Sequence, residues 1–139
     1  MSWIALASYR RGNQLAPALV LDNKLYDLEA ALAAGLPATP ANWVQGGVEA
    51  MLRDWAQAAP WLRDATPVAA SLAASGAIRP IPNGADAAAA PFVPQRIFCA
   101  ASNFASHANE MGTVLAAKSQ SKPYMFLKLS NTVFGPGEI

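Results

Sequence analysis

The sequence predicts an α+β chain. A small leading domain of short antiparallel strands and helices spans residues 1–80, a Pro/Ala-rich linker spans 81–94, and the first strands of a mainly β domain fill 95–139. Three observations predict this. Short β-favouring runs separated by turn residues occupy the first 28 positions, and helix-spaced apolar residues follow up to Ser75. Pro80, Pro82, Pro91 and Pro94, around Asn83, Gly84 and a run of alanines, then break the pattern before two short apolar strands appear.

Taken in order, Trp3 to Ser8 is apolar and β-favouring and is bounded by Arg10, Arg11, Gly12 and Asn13. A second apolar run, Ala18 to Leu21, follows Pro17, so the two read as a hairpin. Asp22, Asn23 and Lys24 make a turn into Leu25 to Leu28, which completes a three-stranded meander. Asp27 is placed to cap a helix over Leu28 to Ala34, closed by Gly35 with Pro37 beyond it. A longer helix after Pro40 carries Val44, Val48, Met51, Leu52 and Trp55 on one face and should stop before Pro60. A third helical stretch, from about Pro67 to Ser75, ends at Gly76, and Trp43, Trp55 and Trp61 are expected to pack these helices together.

After the linker, Arg96 to Ala101 reads as a strand, Ser102 to Gly112 as a polar segment, and the residues through Lys122 as a loop. Tyr124 to Leu129 reads as a second strand leading to the turn Gly135, Pro136, Gly137. Two strands leave both edges and at least one face uncovered, so this region reads as the beginning of a larger sheet.

Composition excludes several classes of function. Ten Lys and Arg against nine Asp and Glu give a net charge of +1, with the arginines dispersed along the chain. That balance argues against a nucleic-acid partner. Every apolar run is interrupted by Arg, Asp, Pro or Gly well short of the ~20 residues that a membrane-spanning helix needs, so no membrane partner is expected. The single Cys99 excludes an internal disulfide and a cysteine-based zinc site, and the amino terminus lacks the pattern of a secretory leader, so the expected compartment is the cytoplasm.

The chemistry is concentrated between Ser102 and Lys128. His107 and Glu110 are three residues apart, which on a helical turn puts both side chains on one face and lets the carboxylate accept from the imidazole. Such a pair suits general-base work: the glutamate fixes the ring tautomer and stabilises the imidazolium formed when the histidine takes a proton from water. The same spacing also serves a solvated helix pair. Cys99, in an apolar strand with no flanking base or cation, reads as a small core residue.

The wider string, Arg96-Ile97-Phe98-Cys99-Ala100-Ala101-Ser102-Asn103-Phe104-Ala105-Ser106-His107-Ala108-Asn109-Glu110-Met111-Gly112, resembles the fumarylacetoacetate hydrolase family's strand and its Asn-Tyr-x-x-His-x-x-Glu signature. Lys118 to Ile139, with Tyr124-Met125-Phe126-Leu127-Lys128 and Gly135-Pro136-Gly137, resembles the segment that follows it. Leu6-Ala7-Ser8-Tyr9-Arg10 and Leu25-Tyr26-Asp27-Leu28-Glu29-Ala30-Ala31 resemble the small leading domain of bacterial members. The chain departs from the pattern at Ala101 for Gly, Phe104 for Tyr and Leu129 for Pro. Phe104 keeps the ring and loses a hydroxyl, and Ala101 restricts the backbone before the site.

The resemblance implies the amino-terminal portion of a metal-dependent hydrolase that cleaves a carbon-carbon bond in a 1,3-dicarbonyl acid such as fumarylpyruvate, acylpyruvate or fumarylacetoacetate. It implies that His107 and Glu110 are catalytic and that Lys128 and Asn103 bind substrate. A surface lysine at a strand end and a turn-forming asparagine are the alternatives for these last two. It also implies Mg2+ or Mn2+, with Ca2+ a further option. The ligands of that ion, a Glu-x-Glu pair and an Asp, are not in this chain, so no metal ligand is assigned here and the chain alone is expected to be inactive. A small oxo-acid substrate and a homodimer complete the expectation. Two other readings stay open: an oxo-acid decarboxylase or isomerase of the same family, and a non-catalytic binding or assembly module if the chain is complete at Ile139.

Overall fold

The computed structural model describes residues 5–101, 103–122 and 124–137 and is mixed α+β, with an antiparallel sheet and several helices. It divides into two units, one of residues 5–92 with 134–137 and one of residues 93–133.

The first unit is organised by a hairpin of β1 (Ala5–Arg11) and β2 (Gln14–Leu21), paired from Ala5 opposite Val20 to Arg11 opposite Gln14. The strands run further than the sequence suggests, because the reversal takes only two residues, Gly12 and Asn13. Gly12 supplies the positive φ of 62° that such a turn requires. Pro17 does not end β2: β3 (Lys24–Asp27) reaches only as far as Ala18, so Pro17 lies past the end of that ladder. Asp22 and Asn23, both at positive φ, make the second two-residue turn, as expected of turn-forming side chains. Trp3 lies outside the described residues.

Helix α1 (Leu28–Ala33) begins where Asp27 accepts the Ala30 N–H at 2.7 Å. It ends at Gly35 (φ 116°), with the Leu36 N–H donating to the Ala31 carbonyl and the Gly35 N–H to Leu32, so the last carbonyls are satisfied by the reversal itself.

Helix α2 (Ala41–Arg53) is interrupted at Gly47, and α3 (Trp55–Ala74) runs through both Pro60 and Pro67. Pro60 is expected to stop the helix, but the break falls instead at Asp54. Each proline removes one helical N–H, which costs a helix interior up to ~3 kcal/mol. Against that, Ala58, Leu62, Ala65 and Ala69 recur at helical spacing and are all buried, so packing of one continuous face holds the helix together.

The sheet separates two apolar layers. Leu19, Leu21 and Tyr26 meet Leu28, Ala31, Trp43, Met51 and Leu62 on the helical side, while Tyr9, Ala16, Ala18 and Leu25 form a smaller cluster on the other. Trp43 meets Trp61 edge to face at 5.8 Å, and the Trp61 indole donates to the Pro37 carbonyl. Trp55 does not share this role. It is 50% exposed at the start of α3, where the break at Asp54 turns it off the buried face, and Leu52, next to the buried Met51 in α2, is exposed as well.

Part of the segment read as a linker is folded into the first unit. A short helix α4 (Gly84–Ala87) leads to β4 (Ala88–Ala89), which pairs with β1 and gives the sheet order β3-β2-β1-β4. The Ile81 N–H donates to the Leu25 carbonyl, and the buried Ser8 hydroxyl donates to that of Pro91.

Tyr9 is buried, and its phenol donates to Asp27 Oδ2 at 2.6 Å. Burial, then the hydrogen bond to Asp27, then the negative charge of Asp27 push its pKa up to about 12 from an ordinary value of 10.0. In an unfolded chain the phenol ionises near ~10. The raised folded value therefore contributes stability that is complete below pH ~10 and is lost as pH rises toward ~12. Urea melts at successive pH values should show the native chain losing stability over this window more steeply than Tyr9→Phe. Parallel curves would show that Tyr9 does not carry the effect.

The second unit contains a two-stranded antiparallel ribbon, β5 (Ile97–Ala101) and β6 (Tyr124–Lys128), close to the strands read from the sequence. Between them lie α5 (Ala105–Glu110) and a single 3-10 turn, Lys118–Gln120. No helix among the described residues is long and apolar enough to cross a membrane.

Candidate functional site

The local sequence gives α5 its position. Phe104 is extended and begins the helix without a side-chain cap, and Ala108 is the one residue of α5 that is buried. The carbonyl of Ala108 accepts from both the backbone N–H and the hydroxyl of Thr113, while Gly112, at φ 69°, lets the chain leave the helix there. His107 and Glu110 lie on the outward side of this anchored turn.

The two side chains meet as the spacing requires: His107 Nδ1 lies 3.5 Å from Glu110 Oε2. That is the long end of the hydrogen-bonding range, and with the side chains 62% and 77% exposed the pair is screened by solvent. With Nδ1–H donated to the carboxylate, the lone pair of Nε2 is left to accept a proton.

Asn103 is exposed in the segment between β5 and α5. It lines a cavity of about 690 Å3 together with Ala100 and Ala101 of β5, Tyr124 of β6, and Lys118 and Lys122. Lys128 is placed elsewhere. It is exposed at the far end of β6, paired with Ile97, four residues beyond the Tyr124–Ala101 pair, or roughly 13 Å along the strand. The structure thus brings His107 to Glu110 and Asn103 to the cavity, and sets Lys128 apart from Asn103. Cys99 is half-buried and faces Phe126 across the ribbon.

Lys118 and Lys122 fall in the loop expected from the sequence, within the stretch that resembles the family, and carry no assigned role there. A signal was present: from Met111 to Gly137 the chain has three lysines and no Asp or Glu. Outside this unit, a shallower depression lies between α1 and α2, and its one acidic group, Glu29, is occupied by Arg11 at 2.8 Å.

Among the described residues no three His, Cys, Asp or Glu side chains gather as a metal site. Compared with models of protein families, with characterised proteins and with solved structures, the chain has no match.

Proposed function

We propose that this chain carries the water-activating part of a fumarylacetoacetate hydrolase family enzyme, acting on a 1,3-dicarbonyl acid of the fumarylpyruvate or acylpyruvate kind. The observation that supports this reading best is the His107–Glu110 pair, 3.5 Å apart on the exposed side of α5 within the string that resembles the family signature. His107 Nε2 removes a proton from water, and Glu110 holds the ring and stabilises the imidazolium. The hydroxide equivalent adds to a carbonyl carbon. The adjacent carbon-carbon bond then breaks, its electron pair leaving as an enolate that takes back a proton, so water is consumed and an acid and a ketone are released.

A divalent ion would suit this chemistry by stabilising the enolate as the carbon-carbon bond breaks. On this reading its ligands are residues other than those of this chain.

The test is incubation of the intact enzyme that carries this chain with a short acylpyruvate and Mn2+ in 18O-labelled water. Hydrolysis puts label into the released carboxylic acid. Release of carbon dioxide instead selects the decarboxylase reading. If neither product forms, the hydrolase reading fails and a non-catalytic assembly role takes its place. The exposed apolar residues of the ribbon, Phe98, Tyr124, Met125 and Leu127, favour that alternative.

A further inference from the structure

The chain leaves the first unit after Phe92 and re-enters it at Phe134. The returning residues meet the place they left from. Gly135 is buried, and a Cβ added to it would sit 2.6 Å from the Ala90 nitrogen and 2.8 Å from the carbonyl carbon and Cα of Ala89. Those atoms are backbone, which has no rotamer into which it could escape, so any side chain at 135 forces the two segments apart. Close approach is what requires glycine here, whereas Gly12 and Gly137 are set by positive φ.

Gly135 rests on the shortest ladder of the sheet. β4 pairs with β1 only at Ser8 and Tyr9, while the other side of β1 pairs with β2 from Ala5 to Arg11. A hydrogen bond from the buried Ser8 hydroxyl to the Pro91 carbonyl, 2.7 Å long, supports the same end. Two ladder pairs do not hold a strand by themselves, yet Ala89 and Ala90 are both buried, and Gly135 supplies part of their cover. We propose that residues 134–137 are a strap, latched by Gly135, that closes over the end of β4, and that its release lets β4 leave β1 while the hairpin and the helices stay folded. The stretch between the two crossings carries His107 and Glu110, and the latch makes it a closed loop rather than a tail.

The experiment is native-state hydrogen exchange of the 139-residue chain, read residue by residue by NMR. Gly135→Ala should speed exchange at the amides of Ala88, Ala89 and Ala90 by about 10- to 100-fold and lower the heteronuclear NOE of the Gly137 amide. Leu19 and Val20 of β2, and Ala65 and Ala69 of α3, should exchange as before. Ser8→Ala removes a support of the same seat from the β1 side and should speed the same three amides by about tenfold. Unchanged exchange at 88–90 in either variant, acceleration or unfolding that spreads to β2 and α3, or a Gly137 that stays ordered while the three amides speed up would each overturn the proposal.

Discussion

His107→Ala in the intact enzyme that carries this chain is expected to lower turnover by about 10²- to 10⁴-fold, the range of a lost general base, while substrate affinity changes little. The asymmetry follows from where the imidazole acts. It takes its proton in the transition state and contributes little to holding the ground state. Glu110→Gln should be milder, about 10- to 1000-fold, because the amide keeps an acceptor oxygen near Nδ1 and loses only the charge that steadies the imidazolium. The two losses should not add: once the ring is gone, Glu110 has nothing left to orient. Structure sharpens the control. Both side chains are exposed and only Ala108 anchors α5, so neither substitution removes buried contacts, and melting should shift by roughly 0.5 kcal/mol or less. Steady-state kinetics on the two single variants and the double variant, with a melt on each, provide the measurement. Near-native turnover in a folded His107→Ala protein would end the catalytic assignment.

Trp43→Ala should be the most destabilising single truncation, costing ~3–5 kcal/mol. Trp43 is 1% exposed and sits where α2, α3 and the sheet share one core. Its removal opens a large void, deletes the edge-to-face contact with Trp61, worth ~0.5–1.5 kcal/mol beyond its area, and strips Asp54 of the indole N–H donated at 3.0 Å. That last contact ties α2 to the break at Asp54, so the loss reaches beyond volume. Trp43→Phe, which keeps a ring and lacks the donor, should fall between. Urea unfolding followed by far-ultraviolet circular dichroism measures all three proteins. A cost under ~1 kcal/mol for the alanine variant would mean that this core does not depend on the indole.

The residues that could be read in advance are those whose effect is local. Asp27 caps α1 because its carboxylate reaches an N–H three residues on, and Gly35 ends that helix because it accepts a left-handed backbone. Asp22 and Asn23 turn the chain for the same kind of reason, and the strands at 97–101 and 124–128 follow from apolar, β-favouring side chains. His107 and Glu110 belong to this class, since three residues on one helical turn fix their approach without help from elsewhere. Other features depended on partners distant in sequence. Pro60 reads as a helix stop, yet the buried face from Ala58 to Ala69 outweighs one missing hydrogen bond. Ala88 and Ala89 read as linker and become a strand only because β1 offers an open edge. Trp55 reads as core and is half exposed because the break at Asp54 rotates it off the buried face. The cavity that unites Asn103 with Lys118 and Lys122 exists because β6 returns beside β5, placing Tyr124 against Ala101. Backbone propensity and short-range spacing are written residue by residue; which surfaces meet is decided only by the burial that tertiary contacts make available.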